Sequence, residues 1–248
     1  MMDLFSQQAN EVSFTLPKNC PEIYYEFNEQ LNGFEIYVPN GKLFYSPNFF
    51  NQKISNRSIE YFLENDCSYP TNTDWASVSI EDFEKIVFNN IHWKQEYINL
   101  YGLKPIPRLT AWYGDEGKLY KYSGILQHPY PWNKALLYIK EQVEAVAGTE
   151  FNSVLLNWYR DGNDYLSWHA DDESELGINP IIASVSFGAT RDFKLRNNDN
   201  HNQKLTIPLS NGSLMIMSDQ LQHYWQHTLP KRKRVKDSRF NLTFRVVY

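Results

Sequence analysis

From residue 153 to the C-terminus, short apolar runs are separated by Gly, Asn, Asp and Pro. The runs "SVLLNWY", "IIASVSFGA", "DFKLR", "KLTIPL", "SLMIM" and "RFNLTFRVVY" are rich in β-branched and aromatic residues and read as strands. Strands without intervening helices predict two packed antiparallel sheets, a sandwich or jelly roll, rather than a doubly wound parallel sheet. Upstream the period changes. "SPNFFNQKISNRSIEYFLEN" (46–65) carries a rough apolar stripe and predicts a helix starting at Ser46-Pro47. Ser79 and Asp82 resemble a capping box before a short helix, "IEDFEKIVF". "PWNKALLYIKEQVEAVAG" places Leu136, Ile139, Val143 and Val146 on one face, with Gly148 as the stop. The expected fold is mainly β with flanking helices, the helices covering one sheet's outer face. The first thirty or so residues lack clear periodicity and read as a loosely held arm. The expected division is an arm over 1–40, a helical extension over 41–95 and the β-rich domain over 96–248.

The 248 residues are enough for one domain with a sizeable core. Two cysteines, Cys20 and Cys67, make no disulfide framework, which fits an intracellular protein. The N-terminus shows no signal peptide, and no apolar run is long enough for a membrane helix. A monomer is expected. A net charge of −5 argues against a surface coated with positive charge. One local basic run stands out, "KRKRVK", Lys231 to Lys236: a solvated loop, a nucleic-acid contact or a nuclear address.

The chemistry begins at "SWHADDE". In an extended chain His169 and Asp171 point the same way, so an imidazole and a carboxylate can reach one ion. Either His223 or His227, in "HYWQHTLPKRK", would complete a two-histidine, one-carboxylate triad, the set of non-haem Fe(II) oxygenases. Zinc hydrolases can use similar ligands. The strand "RFNLTFR" separates the two. Its apolar set, Phe240, Leu242 and Phe244, enters the core. Arg239, Asn241, Thr243 and Arg245 share the other face, an anion-binding surface with no acid to offset it. A dicarboxylate co-substrate needs such an anchor and hydrolysis does not. Asn157 and Tyr159 share a face of "LLNWY" and could contact the same carboxylate.

"PRLTAWYG", "YKYSG", "NWY", "WHADDE", "PIIASVSFGATRDF", "QHTLP" and "RFNLTFR", in this order, resemble the AlkB family of Fe(II)/2-oxoglutarate nucleic-acid demethylases, nearest the branch of human AlkB homologues 2 and 3. The resemblance runs from about residue 90 to the C-terminus. It implies a double-stranded β-helix core, Fe(II) on His169, Asp171 and His227, and 2-oxoglutarate and O2 as co-substrates. Arg239 would hold the far carboxylate and Arg245 lie nearer the metal, with Asn157, Tyr159 and Asn241 assisting. His223 becomes structural. In the nucleotide-recognition region, 98–125, Tyr122 would stack on a flipped base against His169. Tyr120 and Glu173 would bond the base edge. Arg108 and "YGLKPIP" (101–107) match a strand-probing hairpin with Tyr101 as the wedge. Lys231, Arg232, Lys233 and Arg234, with Arg108, would meet phosphates. The implied activity is oxidative demethylation of 1-methyladenine and 3-methylcytosine in DNA, with RNA as a second substrate, releasing formaldehyde. The expected location is the cytoplasm, or the nucleus of a eukaryote. Two rivals remain: the same core hydroxylating a protein or small molecule, and a non-catalytic nucleic-acid-binding jelly roll. The 69–84 stretch is longer than this branch suggests, and its role is open.

Overall fold

The computed structural model describes residues 14–17, 20–67, 69–99, 102–118, 120–122 and 125–248. In chain order the elements are β1 (Tyr24–Asn28), β2 (Gly33–Val38), β3 (Gly41–Ser46), α1 (Gln52–Leu63), α2 (Ile80–Phe83), β4 (Lys94–Asn99), β5 (Leu103–Gly114), β6 (Tyr120–Tyr122), β7 (Ile125–Gln127), α3 (Lys134–Ala147) and β8 (Ser153–Tyr159). They continue with β9 (Leu166–His169), β10 (Ile182–Gly188), β11 (Arg191–Asn197), β12 (Lys204–Leu209), β13 (Ser213–Ser218), α4 (Leu221–Tyr224), β14 (Trp225–Leu229) and β15 (Arg239–Arg245). A nine-stranded sheet runs β1-β2-β3-β13-β10-β15-β8-β5-β4 and faces a four-stranded sheet, β12-β11-β14-β9, with β6-β7 as a separate hairpin. Every strand pair in these sheets is antiparallel. This is the expected jelly roll.

Alternation along the central strands gives each sheet face its job. Leu156 and Trp158 of β8, Val185 and Phe187 of β10, and Phe240, Leu242 and Phe244 of β15 join one core cluster with Phe62 and Leu63 of α1 and Leu136, Ile139 and Val143 of α3. The helices therefore cover the outer face of the large sheet. The opposite set faces the small sheet: Ile36, Leu43, Tyr45, Met215 and Met217 meet Phe193, Leu195, Leu205 and Ile207. Burying each such side chain contributes about 1.5–3 kcal/mol.

Caps set the helix ends. α1 starts at Asn51, whose side chain accepts from Ile54 N, so Ser46-Pro47 is not its start; Ser46 instead ends β3. Ser79 caps α2 as expected, but the helix stops at Phe83. Asn133 caps α3, and Gly148 ends it in the left-handed region, φ 65°.

Two expectations are corrected. Residues 24–38 are no arm: β1 pairs with β2 and β2 with β3, which extends the large sheet. The stretch 41–95 is likewise not wholly helical, because it opens with β3 and ends in β4. The 69–84 segment gains a role: Trp75 and Phe83 lie 5.1 and 5.9 Å, centroid to centroid, from Trp158. That ring sits on β8 between Asn157 and Tyr159, so the segment packs directly behind the wall of the pocket described next.

Candidate metal and co-substrate centre

The small sheet joins what the sequence separates. β9 and β14 are antiparallel neighbours, and His169 sits directly opposite His227. Residues so opposed place their side chains in contact, and the two imidazoles meet edge to face with centroids 4.2 Å apart. Asp171 follows two residues past His169, its Oδ1 3.9 Å from His169 Nε2. Ligand atoms of all three lie within 4.8 Å of one another, the one such group of three among the described residues. His223 lies outside it: its ring is exposed and contacts Asn179 Oδ1 at 3.1 Å.

The donor set is prepared for a cation. His169 Nδ1 lies 2.8 Å from the Ser167 carbonyl. A carbonyl only accepts, so Nδ1 carries the proton and Nε2 is left bare for a metal. Burial pushes the His227 imidazole down to about 3, with His169 and Arg245 adding to the effect. Burial also pushes the Asp171 carboxyl up, but Arg245, His227 and His169 outweigh it and hold the group at about 2. Two neutral imidazoles and one carboxylate with open positions suit Fe(II).

These shifts set an acid limit on the metal-free protein. Between about 6.5 and about 3 an unfolded His227 takes a proton that the folded site refuses. Stability is therefore lost as pH falls through that window. Asp171, lowered from 3.8 to about 2, adds a further loss as pH falls between those values. Melts of chelator-treated protein are expected to show Tm falling from pH 7 to pH 5, with a smaller fall for His227→Gln.

The large sheet supplies the cationic wall. Arg239, Asn241, Thr243 and Arg245 all line the pocket beside the triad, with Asn157 and Tyr159 from β8. Arg245 Nη2 donates to Asp171 Oδ1 at 2.9 Å, so it braces a metal ligand directly. Arg239, at the other end of the strand, is 2% exposed and donates to Ser186 Oγ at 2.9 Å. Its Nε is buried with no hydrogen-bond partner. Burial lowers the Arg239 guanidinium to about 10, which leaves it cationic at neutral pH. A buried cation with an unused donor fits the carboxylate of a co-substrate.

Other expected residues divide. Asn241 Nδ2 donates to Ser184 Oγ at 2.8 Å, and Asn157 Oδ1 accepts from Arg108 Nε at 2.8 Å. Arg108 is thus corrected: it is 4% exposed on the pocket wall, not on a hairpin tip where phosphates could reach it. The β4–β5 hairpin does exist, but Tyr101 lies outside the described residues. Tyr120 and Tyr122 sit on β6; their side chains also lie outside the description. Glu173 is half-buried, and its Oε2 is buried with no partner.

In the basic run, Lys231, Lys233 and Arg234 are exposed, and Lys231 also lies over the Tyr165 ring at 4.7 Å. Arg232, expected at a phosphate, already has a partner within the protein. It pairs with Asp192, and its backbone N donates to the Gly162 carbonyl at 2.7 Å. Only glycine fits at 162, since a Cβ there would meet Arg232 O at 1.8 Å.

Sequence reading missed four contributors. Phe193 stacks on His227 with centroids 5.0 Å apart. Arg191, 1% exposed, donates to the carbonyls of Asp161, Asp164 and Pro230. Met217 lines the pocket. Gln222 accepts from the Asp171 backbone N–H. Only Arg191 and Phe193 had a signal: with Leu195 they alternate along β11 as one inward face.

Comparison with known proteins adds to this geometry. A family model described as the 2OG-Fe(II) oxygenase superfamily matches residues 43–245. The alpha-ketoglutarate-dependent dioxygenase alkB homolog 3 of Bos taurus is 48% identical over 151 residues, 57% of this chain and 52% of that protein. The Homo sapiens protein of that name is 46% identical over the same shares. DNA oxidative demethylase ALKBH2 of Homo sapiens is 44% identical over 149 residues, 57% of each chain. The chain spans about half the length of the curated relatives it matches. Among solved structures, OsALKBH1 aligns with a TM-score of 0.50 at 13% identity, covering 86% of this chain and 99% of that one. A prolyl hydroxylase from Trichoplax adhaerens aligns at 0.52 and 11%, covering 84% of each. At such identities the structural likeness speaks for the fold alone.

Proposed function

The chain belongs to the 2OG-Fe(II) oxygenase superfamily, and from that premise we propose that it removes methyl groups oxidatively from nucleic-acid bases, 1-methyladenine and 3-methylcytosine in DNA first, with RNA as a second substrate, releasing formaldehyde. The carrying observation is the joint placement of the His169, Asp171 and His227 triad and the buried Arg239 cation in one pocket. Similarity to proteins called DNA oxidative demethylase directs the reading to nucleic acid.

Each side chain has a task. His169 Nε2, His227 and an Asp171 oxygen hold the metal. Arg245 keeps Asp171 ionised. Arg239 binds the far carboxylate of 2-oxoglutarate, and Arg108 fixes the amide of Asn157 beside it. Bound together there, Fe(II), 2-oxoglutarate and O2 supply the oxidising chemistry, and the protein positions the target carbon. Glu173 Oε2 accepts from the exocyclic amino group of a cationic alkylated base. A methyl on the Watson–Crick edge must leave the duplex to be reached, and a lesion that blocks pairing lowers that cost.

A strand of nucleic acid has a surface to follow. Lys194 and Arg196 of β11, Lys204 of β12 and Trp168 of β9 border one shallow depression of the small sheet. The Arg196 guanidinium lies 4.2 Å over the Trp168 ring. This patch and exposed Lys233 and Arg234 offset the acidic net charge locally. Binding of a 1-methyladenine oligonucleotide is expected to weaken with salt. Lys194→Gln with Lys204→Gln is expected to lower the log–log salt slope by about one for each lysine that meets a phosphate. An unchanged slope in fluorescence anisotropy would remove this face from the interface. We place the protein as a monomer in the compartment that holds its substrate, the cytoplasm or a nucleus.

The deciding assay supplies the protein with Fe(II), ascorbate and 2-oxoglutarate. Single- and double-stranded 1-methyladenine oligonucleotides of DNA and RNA are the substrates. Mass spectrometry reads methyl loss, and succinate is measured in parallel. Methyl loss is the expected result and ranks the four substrates. Succinate without methyl loss would move the activity to a protein or small-molecule substrate. Neither product, with metal bound, would retire the catalytic reading.

A further inference from the structure

We infer that Gln222 is a positioning residue that holds the metal ligand Asp171 at its working distance from His227. The inference rests on the metal-centre reading above. β9 ends at His169, and its last pairing with β14 is His169 to His227. Asp171 lies beyond the ladder, so no neighbouring strand satisfies its buried backbone N–H. Gln222 Oε1 accepts that N–H at 3.0 Å. The other end of the same amide, Nε2, donates to Met217 Sδ at 3.5 Å. Gln222 is 2% exposed and sits on α4, five residues before His227.

One side chain therefore ties the segment carrying the carboxylate to the segment carrying the second histidine. Arg245 sets the charge of Asp171 through its carboxylate, whereas Gln222 sets the position of its backbone. The residue type follows. Asp171 N–H needs an acceptor, and a neutral amide supplies one without adding a second anion beside the carboxylate. Outer partners of this kind typically change metal affinity by about 10- to 100-fold.

The test uses the full chain, freed of metal, and Mn(II) as a redox-inert probe, with Kd read by electron paramagnetic resonance of free Mn(II). Gln222→Leu is expected to weaken Mn(II) binding by about 10- to 100-fold in protein that still melts cooperatively. Gln222→Glu retains an acceptor but adds an anion beside the carboxylate, so its readout is the Asp171 amide itself, which is expected to stay protected from hydrogen exchange. Hydrogen exchange adds a readout that needs no metal: the Asp171 amide is expected to be protected in the wild type and fast in Gln222→Leu. Wild-type affinity in Gln222→Leu, or a fast Asp171 amide in Gln222→Glu, would overturn the inference. So would equal Asp171 exchange in wild type and Gln222→Leu. A wild-type chain that binds no Mn(II) would instead sink the metal-centre reading, and Asp171 exchange would still decide the tether.

Discussion

Asp171→Ala is expected to abolish methyl removal, with a loss greater than the roughly 100-fold that an outer-shell partner of a metal can cost. The substitution removes the one anionic donor of the triad, and two neutral imidazoles alone hold a divalent ion poorly. It also takes the carboxylate from a pair whose side chains are only 6% and 5% exposed for Asp171 and Arg245. Breaking such a pair on one side typically costs about 3–5 kcal/mol. Lower activity could then reflect lower folding, so the second variant is Asp171→Ala with Arg245→Met. The double change is expected to regain Tm while Mn(II) binding and methyl removal stay lost. Activity within tenfold of wild type in the folded single variant would exclude Asp171 as a ligand.

Arg239→Met is expected to raise the KM for 2-oxoglutarate while leaving Mn(II) affinity unchanged. Arg239 and Arg245 sit at opposite ends of a seven-residue strand, roughly 20 Å apart along the backbone. Truncating one member of a buried charge pair costs about 2–5 kcal/mol, a rise in KM of roughly 30-fold or more. Arg239→Lys is no gentle change, because an ammonium cannot present the guanidinium fork to a carboxylate. The free protein gives a useful control. Burial already disfavours the Arg239 charge, so methionine is expected to fold at least as stably. A KM within about twofold of wild type would release Arg239 from anchoring the co-substrate.

Alternation explains why some of this was readable in the sequence. β15 shows it most clearly: its apolar set enters the helix-covered core and its polar set lines the pocket, as period two requires. His169 and Asp171 were also legible as a pair, from their spacing. Residue reasoning alone left His223 and His227 level as third ligand. Their difference is a register, His227 opposite His169, and register depends on tertiary pairing. Arg108 misled because β5 is buried on both faces from Arg108 on, so the polar side made by Arg108 and Thr110 does not face solvent. β1 was hidden for the opposite reason: Tyr24, Tyr25 and Glu26 are all exposed. Gln222 gave no local signal, since its partner is 51 residues away and is a backbone N–H.

The N-terminal meander has a practical consequence for anyone shortening this protein. β3 pairs with β13 through five residue pairs, Leu214 with Ser46 to Ser218 with Lys42. Ile36, Leu43 and Tyr45 are fully buried. A fragment begun at residue 96 would keep every metal ligand and all three pocket arginines. It would also bare the hydrogen-bonding edge of β13 and open the apolar space between the sheets. Bare edges of this kind recruit other chains. The smallest piece worth expressing therefore begins before Tyr24, and a shorter one is expected in the insoluble fraction with its chemistry intact on paper.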